Sequence, residues 1–224
     1  MKIKISMLFN LIIICLTIIG TYCMLSGLEF MGHEESLSAT KIEMFKFYTV
    51  DSNILMGIVS LLFLIYEVQL LRGKREKIPN LVYILKLIGT VGTSLTFLTV
   101  VFYLGPISKN GMTSMFLNAN LFFHLIIPVL SIITFIFFEN TDTLKFKDSF
   151  LGASTMIIYA IFYVVNILIH VENGRVSPAY DWYWFVQNGV WTMIIVLPLM
   201  IAFTYLISFV LLKINNLFWR REQL

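Results

Sequence analysis

Six long apolar stretches, separated by short charged segments, constrain this chain more than any other feature. They run roughly over residues 6–28, 45–71, 81–104, 118–138, 149–170 and 188–212. Each can cross a hydrocarbon core of about 30 Å, which takes about 20 helical residues. Backbone inside lipid must satisfy its own hydrogen bonds, and the stretches lack the period-two alternation of barrel strands. The sequence therefore predicts an all-α bundle of six transmembrane helices, formed by a single integral membrane domain over residues 1–224.

The composition agrees with a membrane protein and excludes several other classes. Hydrophobic residues make up 58% of the chain and charged residues 13%, whereas a soluble domain carries about 25% charged residues. The basic residues flank apolar spans, so they predict topology rather than nucleic-acid binding. Cys15 and Cys23 both fall in the first stretch without metal-ligand spacing. We expect membrane lipids around the protein, no nucleic acid, no metal and no cofactor.

The distribution of basic residues predicts the orientation. With the N terminus in the cytoplasm, eleven Lys and Arg residues lie in cytoplasmic segments and four in external ones. This positive-inside bias predicts that both termini are cytoplasmic. The abundance of Ile, Lys, Asn and Phe is typical of an AT-rich bacterial genome, which favours the bacterial plasma membrane. The sequence leaves the oligomeric state open.

Polar residues in two of the stretches follow helical spacing. In the second stretch they share one face, because their offsets from the first member are 3, 4, 11 and 18: Thr49, Ser52, Asn53, Ser60 and Glu67. In the fourth stretch the offsets are 4, 8 and 11: Asn120, His124, Pro128 and Ser131. Polar side chains in a membrane helix are costly unless they face protein or a cavity. Both stripes are therefore predicted to face the bundle interior.

Thr49 and His124 are predicted to lie at a similar depth near the external side. Imidazole can take the proton of a threonine hydroxyl near neutral pH, and the activated hydroxyl can attack an ester carbonyl. Asn53, Asn120 or Ser52 would orient the pair or stabilise an oxyanion. The competing interpretation is structural, because a buried threonine often bonds its own helix and a histidine often bridges helices. Pro128 is expected to free the carbonyl of residue 124 and to kink the helix.

An aromatic segment precedes the sixth stretch, and it has two interpretations. It spans residues 178–185, and its rings suit either an interfacial belt or the rim of an outward-facing lipid site. The candidate rim residues, with the histidine at the end of the fifth stretch, are Tyr180, Asp181, Trp182, Trp184 and His170. His170 and Asn166 form an i, i+4 polar pair, and Glu67 and Lys86 are expected to pair as a structural contact.

The residues that open the second stretch, Phe47-Tyr48-Thr49-Val50-Asp51-Ser52-Asn53, and His124-Leu125-Ile126-Ile127-Pro128 in the fourth, resemble a known family. It is the androgen-induced family of six-helix membrane proteins with its bacterial relatives, whose animal members are threonine hydrolases of fatty acid esters of hydroxy fatty acids. The resemblance implies that Thr49 is the nucleophile, that His124 is its base and that the substrate is a fatty-acyl ester. The family's asparagine stands nearer to the threonine than Asn53 does here, so the resemblance assigns Asn53 no role.

Two other functions remain as alternatives. One is a non-catalytic six-helix membrane protein, such as a small transporter or assembly factor, whose polar stripes line a cavity. The other is a zinc-dependent membrane hydrolase that uses His33, His124 and His170, although no two histidines have i, i+4 spacing. A lipid-ester hydrolase with a threonine nucleophile is the function that the residues and the resemblance favour together.

Overall fold

The computed structural model describes residues 1–32, 41–139, 141, 143–186 and 189–222. It contains six helices that are long and apolar enough to cross a membrane. They are α1 (Lys2–Ser26), α2 (Tyr48–Leu71), α3 (Asn80–Ile107), α4 (Ala119–Phe137), α5 (Phe146–Ile169) and α6 (Val190–Glu222). Short 3-10 turns, Lys41–Lys46 and Met112–Phe116, precede α2 and α4. A two-stranded hairpin, β1 (Val171–Glu172) with β2 (Arg175–Val176), follows α5. The predicted all-α, six-helix architecture is confirmed.

Helix α6 differs most from its predicted bounds, because it continues beyond Leu212 to Glu222. The hydropathy pattern ends where Lys213 introduces charge, but the helix does not. Long basic side chains can reach the membrane surface from a helix whose other face stays apolar or buried. On that other face Asn215 is fully buried, and its Nδ2 donates to the carbonyl of Phe135 at 2.6 Å. The added turns therefore fasten α6 to the end of α4.

Helix α3 lies at the centre of the bundle. It contacts α2, α4, α5 and α6, while α1 packs against α2 and α4 on one flank. Its buried positions are mostly small or hydroxylated, including Gly89, Thr90, Gly92, Thr93 and Ser94. Small residues let membrane helices approach closely, which supplies much of the packing energy where no water is expelled. This close packing holds α2 and α4 against α3.

Two helices approach each other closely at Gly152 in α5. A Cβ atom built there would lie 2.0 Å from Oγ of Ser208 on α6. Gly57 in α2 has a similar role, since its Cβ would lie 2.7 Å from Cγ2 of Thr17 on α1. Both positions require glycine because the neighbouring helix occupies the space of a side chain.

Side-chain contacts show that α1 and α4 run in opposite directions. We call the side where α1 begins the N-terminal side and the opposite one the far side. On the N-terminal side, Oγ of Ser6 donates to Oε1 of Glu139 at 3.2 Å. On the far side, the backbone N–H groups of Phe30 and Met31 each donate to Oδ1 of Asn118 at 2.7 Å. The start of α1 thus meets the end of α4, and the segment after α1 meets the start of α4.

Reporter fusions can establish which side is cytoplasmic. Fusions after Lys77 and after Lys145 are expected to report a cytoplasmic location, because the first loop carries the densest basic cluster and the second carries Lys145 and Lys147. Fusions at Lys109 and Asn173, on the far side, are expected to report an external location, and so is a fusion at Glu34, outside the described residues. An external signal after Lys77 would reverse the orientation.

Candidate active site

Both predicted polar stripes are buried in the bundle. On α2, Ser52, Asn53, Ser60 and Glu67 are each at most 3% exposed. On α4, Asn120, His124 and Ser131 are likewise at most 3% exposed. Oγ of Ser131 lies 3.0 Å from Oγ1 of Thr93, so the α4 stripe faces α3. The prediction that these stripes face inward is confirmed for these residues, while Thr49, the first member of the α2 stripe, is partly exposed.

Helices α3 and α4 each contain one π turn, and each turn lies just before a proline. The π segments are Val100–Leu104 and Phe122–Ile126, and they are followed by Pro106 and Pro128. In α4 the N–H of Ile127 bonds the carbonyl of Phe122, five residues earlier. In the same register the next donor belongs to Pro128, which has no N–H. The carbonyl of Phe123 therefore lacks a donor within its own helix.

Asn53 supplies that missing donor from α2. Its Nδ2 donates to the carbonyl of Phe123 at 3.0 Å and to the carbonyl of Thr49 at 2.7 Å. Both amide hydrogens are thus used by backbone carbonyls, and Oδ1 of Asn53 is buried with no partner in the described part of the chain. We had expected Pro128 to free the carbonyl of residue 124. The π turn shifts the register, so the carbonyl that Asn53 bonds belongs to Phe123.

His124 is buried within the π segment with a defined tautomer. Its Nδ1 lies 2.7 Å from the carbonyl oxygen of Met115, in the 3-10 turn before α4. A carbonyl can only accept, so Nδ1 carries the proton and Nε2 carries the lone pair. The side chain is 3% exposed. The imidazole is therefore held in the form that a general base needs.

Thr49 lies in the first turn of α2 and is partly buried. At about 100° per residue, its direction falls between those of Ser52 and Asn53. Oγ of Ser52 lies 3.3 Å from Oγ1 of Thr96 on α3, while Asn53 contacts α4. The Thr49 side chain is thus directed to the junction of α3 and α4. Within the described residues the Thr49 hydroxyl makes no hydrogen bond with His124 or with any other group. The proposed proton transfer therefore requires the Thr49 hydroxyl and the His124 ring to come closer together.

The aromatic segment is held by a buried carboxylate. Asp181 is 0% exposed, accepts a hydrogen bond from the Tyr163 hydroxyl, and accepts the backbone N–H groups of Phe185 and Val186 at 2.9 and 3.0 Å. We had assigned Asp181 to the rim of a lipid site. The structure places it beneath the segment, because its acceptors bond donors that would otherwise be buried without partners.

Other residues of the aromatic segment cover the first turn of α2. The hydroxyl of Tyr183 accepts the backbone N–H of Tyr48 at 3.2 Å, next to Thr49. Nε1 of Trp182 donates to the hydroxyl of Tyr159 at 2.9 Å, and that hydroxyl donates to the carbonyl of Lys46 at 2.5 Å. Burial raises the pKa of Tyr183, so its phenol stays neutral. The segment therefore fixes the entry of α2 at the level of Thr49.

The remaining rim candidates lie at the edge of this segment. The ring of His170 stacks on Tyr180 with centroids 3.6 Å apart, and Nδ1 of His170 lies 2.8 Å from the carbonyl of Asn166. Nδ2 of Asn166 donates to the carbonyl of Tyr180 at 2.7 Å. Trp184 is 57% exposed and Tyr180 is 40% exposed. These two aromatic side chains are available at the surface, whereas His170 joins α5 to the segment.

A second polar group lies on the N-terminal side. We call it the buried charge cluster, and its members are Ser6, Asn10, Ser60, Glu67, Lys86 and Glu139, each at most 2% exposed. Nζ of Lys86 lies 3.1 Å from Oε1 of Glu139. The expected direct pair of Glu67 with Lys86 is wrong, since Glu67 instead accepts Nδ2 of Asn10 at 3.2 Å, and Lys86 bonds the other end of that amide. Glu139 takes the place that we assigned to Glu67.

The zinc alternative requires three histidines, and the structure describes two of them, His124 and His170. In the described part of the chain, no three His, Cys, Asp or Glu side chains are grouped to hold a metal. His33, the third histidine of the zinc alternative, lies outside the described residues. Two surface grooves of about 660 and 610 Å³ lie on the N-terminal side, and neither is lined by Thr49 or His124.

Comparison with known proteins returned no match among family models, curated proteins or solved structures. Fold and site together define a multi-pass membrane protein with six helices. Its far-side half carries a threonine and a tautomer-fixed histidine on neighbouring helices.

Sequence reasoning missed four residues that organise the interior. Glu139 follows the fourth apolar stretch and looked like part of a loop. Asn10 and Ser6 have i, i+4 spacing in the first stretch, which was a usable signal because polar residues are rare there. Asn118 was read only as the start of a helix, yet its Oδ1 and Nδ2 bond three backbone groups of residues 30–32.

Proposed function

We propose that this protein is an intramembrane lipid-ester hydrolase in which Thr49 is the nucleophile and His124 is the base. The observation that carries the proposal is the position of Asn53, whose amide bonds the carbonyls of Thr49 and Phe123 at once. This link ties the first turn of α2 to the residue next to His124. It supports a common location for a hydroxyl and an imidazole on two different helices.

The reaction follows from the tautomer of His124. Nε2 takes the Thr49 proton while Oγ1 attacks the ester carbonyl carbon, and the leaving alcohol then takes that proton from the imidazolium. Water, activated in turn by Nε2, hydrolyses the threonine ester, releases the fatty acid and restores the hydroxyl. Asn53 acts as a positioning residue because both its amide hydrogens are used. Asn120, buried one turn before His124, is the proposed oxyanion donor, with the Ser52 hydroxyl beside it.

The substrate that we propose is a fatty-acyl ester, specifically a fatty acid ester of a hydroxy fatty acid. Thr49 lies near the far-side end of α2, where it is partly exposed. Aromatic side chains such as Trp184 stand at the same side, and such rings favour the depth of lipid headgroups. A lipid ester can therefore bring its carbonyl to this depth while its chains remain in the membrane.

Covalent labelling tests the proposal. Purified protein in detergent is expected to react with a fluorophosphonate probe and to hydrolyse long-chain lipid esters, because an activated hydroxyl attacks both. Thr49→Ala should lose both reactions and Thr49→Ser should keep part of them. The matched control is Thr204→Ala on α6, whose buried hydroxyl bonds the carbonyl of Met200 in its own helix. Chelators should have no effect.

The outcomes separate the alternatives. Wild-type protein that stays unlabelled and inactive on a broad ester panel supports a non-catalytic membrane protein. The buried charge cluster favours this alternative. Inhibition by a chelator that zinc reverses supports the zinc-dependent hydrolase and directs attention to His33 and His170.

A further inference from the structure

The buried charge cluster contains more negative than positive groups. It holds two carboxyl groups, Glu67 and Glu139, and one ammonium group, Lys86. The other charged residues described on the helix ends around it, Lys2, Lys4 and Arg72, are solvent-exposed. With both carboxyl groups ionised, the cluster would carry one uncompensated negative charge away from water. Such a group is usually neutralised by a proton.

Lys86 has no hydrogen left for Glu67. An ammonium group has three N–H donors. In this structure they bond Oδ1 of Asn10, Oγ of Ser60 at 3.2 Å and Oε1 of Glu139 at 3.1 Å. Glu67 accepts the amide nitrogen of Asn10 at 3.2 Å and has the Ser6 hydroxyl as a second polar neighbour. The ion pair therefore belongs to Glu139, and Glu67 is solvated by neutral groups.

Glu139, in contrast, lacks a hydrogen-bond donor for one of its two carboxylate oxygens within the described residues. Its Oε1 accepts three donors, from Lys86, Asn10 at 2.8 Å and Ser6 at 3.2 Å. Its Oε2 is buried with no hydrogen-bond partner in the described chain. The two carboxyl groups are neighbours, because Nδ2 of Asn10 contacts both of them. A proton on Glu67 would remove the excess charge and would supply a donor in the neighbourhood of the unpartnered oxygen.

We propose that the buried charge cluster is a binding site for one proton, carried by Glu67 and shared with Oε2 of Glu139. The proton joins side chains from α1, α2, α3 and the end of α4, and it exchanges with the N-terminal side, where the cluster lies. Its release leaves a negative charge between these helices and weakens their contact. The site is separate from Thr49 and His124, so it does not depend on the proposed hydrolase activity.

Infrared spectroscopy tests the site on the purified protein. At neutral pH the wild type is expected to show the carbonyl stretch of a protonated carboxylic acid, shifted in D₂O and lost as the pH is raised. Glu67→Gln should remove the band and should fold normally, because its amide mimics the neutral acid. Glu43→Gln, at an exposed residue, should leave the band unchanged. Absence of the band in the wild type, or its persistence in Glu67→Gln, would overturn the proposal, and so would failure of Glu67→Gln to fold.

Thermal unfolding supplies an independent readout. The folded state holds a proton that the unfolded chain has released, so the Tm of the wild type should fall as the pH rises through its release. Glu67→Gln should show no such fall over the same range. A Tm that instead rises with NaCl but not with choline chloride, without the infrared band, would mean that a metal cation occupies the site and would refute the proton.

Discussion

Replacing His124 with alanine is expected to lower lipid-ester hydrolysis by about two to four orders of magnitude, the usual contribution of a positioned base. Thr49→Ala should remove the nucleophile and lower it at least as far. The double variant should be no worse than the more severe single variant, because a nucleophile and its base act as one unit. The measurement is single-turnover hydrolysis by protein whose folding is checked by gel filtration and circular dichroism.

Asn53→Ala distinguishes positioning from structural support in the same assay. It removes two hydrogen bonds to carbonyls and leaves that of Phe123 without a donor, which costs about 1–3 kcal/mol of stability. Hydrolysis should fall less than in His124→Ala. Independent, multiplicative losses in Thr49→Ala and His124→Ala would refute the shared mechanism.

Lys86→Met is expected to destabilise the bundle by about 3–5 kcal/mol, the range for removing one partner of a buried ion pair. It leaves Glu139 without its cation and Asn10 and Ser60 without their donor. The double variant Lys86→Met/Glu139→Gln should recover part of the loss, because the unpaired charge is also gone. The measurement is unfolding in detergent, followed by circular dichroism.

The exposed pair of Lys46 and Glu43 is the matched control for that experiment. Its Nζ–Oε2 distance of 3.0 Å resembles that of the buried pair, but the Glu43 side chain is 78% exposed. Glu43→Gln should change stability by less than about 1 kcal/mol. Equal effects at the two pairs would show that burial does not set the energy of the Lys86 contact.

The sequence was sufficient for the six helices because span length and apolar content are set by the membrane itself. The sequence did not predict where α6 ends. Lys213 ends the apolar run, whereas the helix continues and Asn215 packs against α4. The inward stripes were also predictable, because their polar side chains recur at helical spacing. Which side chains bond one another inside the bundle was not predictable, as the Lys86 contact shows. Residues 67 and 139 are equally plausible partners by charge, and only the three-dimensional approach of α4 selects Glu139.

The roles of Asp181 and Asn53 could not be predicted from the sequence for a different reason. Their residue types fit a rim or an oxyanion donor, and nothing local excludes these roles. Their actual partners are backbone groups: N–H donors of residues 185 and 186 for Asp181, and the carbonyls of Thr49 and Phe123 for Asn53. Whether such groups need partners depends on turns and on a π register that hydropathy does not reveal.

The π turn in α4 has a consequence for how the protein tolerates change. A π turn holds one residue more than an α turn, so it works as a local insertion that rotates everything on one side of it. Deleting one residue from Phe122–Ile126 would restore α-helical spacing, with the gap at Pro128 remaining, and would turn the far-side portion of α4 by about 100° relative to Ser131. Ser131 would still meet Thr93, while Asn120 and the preceding loop would be carried to another face. Sequence changes can therefore alter the far-side end of this helix, which carries Asn120, without moving Ser131 or Glu139 at its other end.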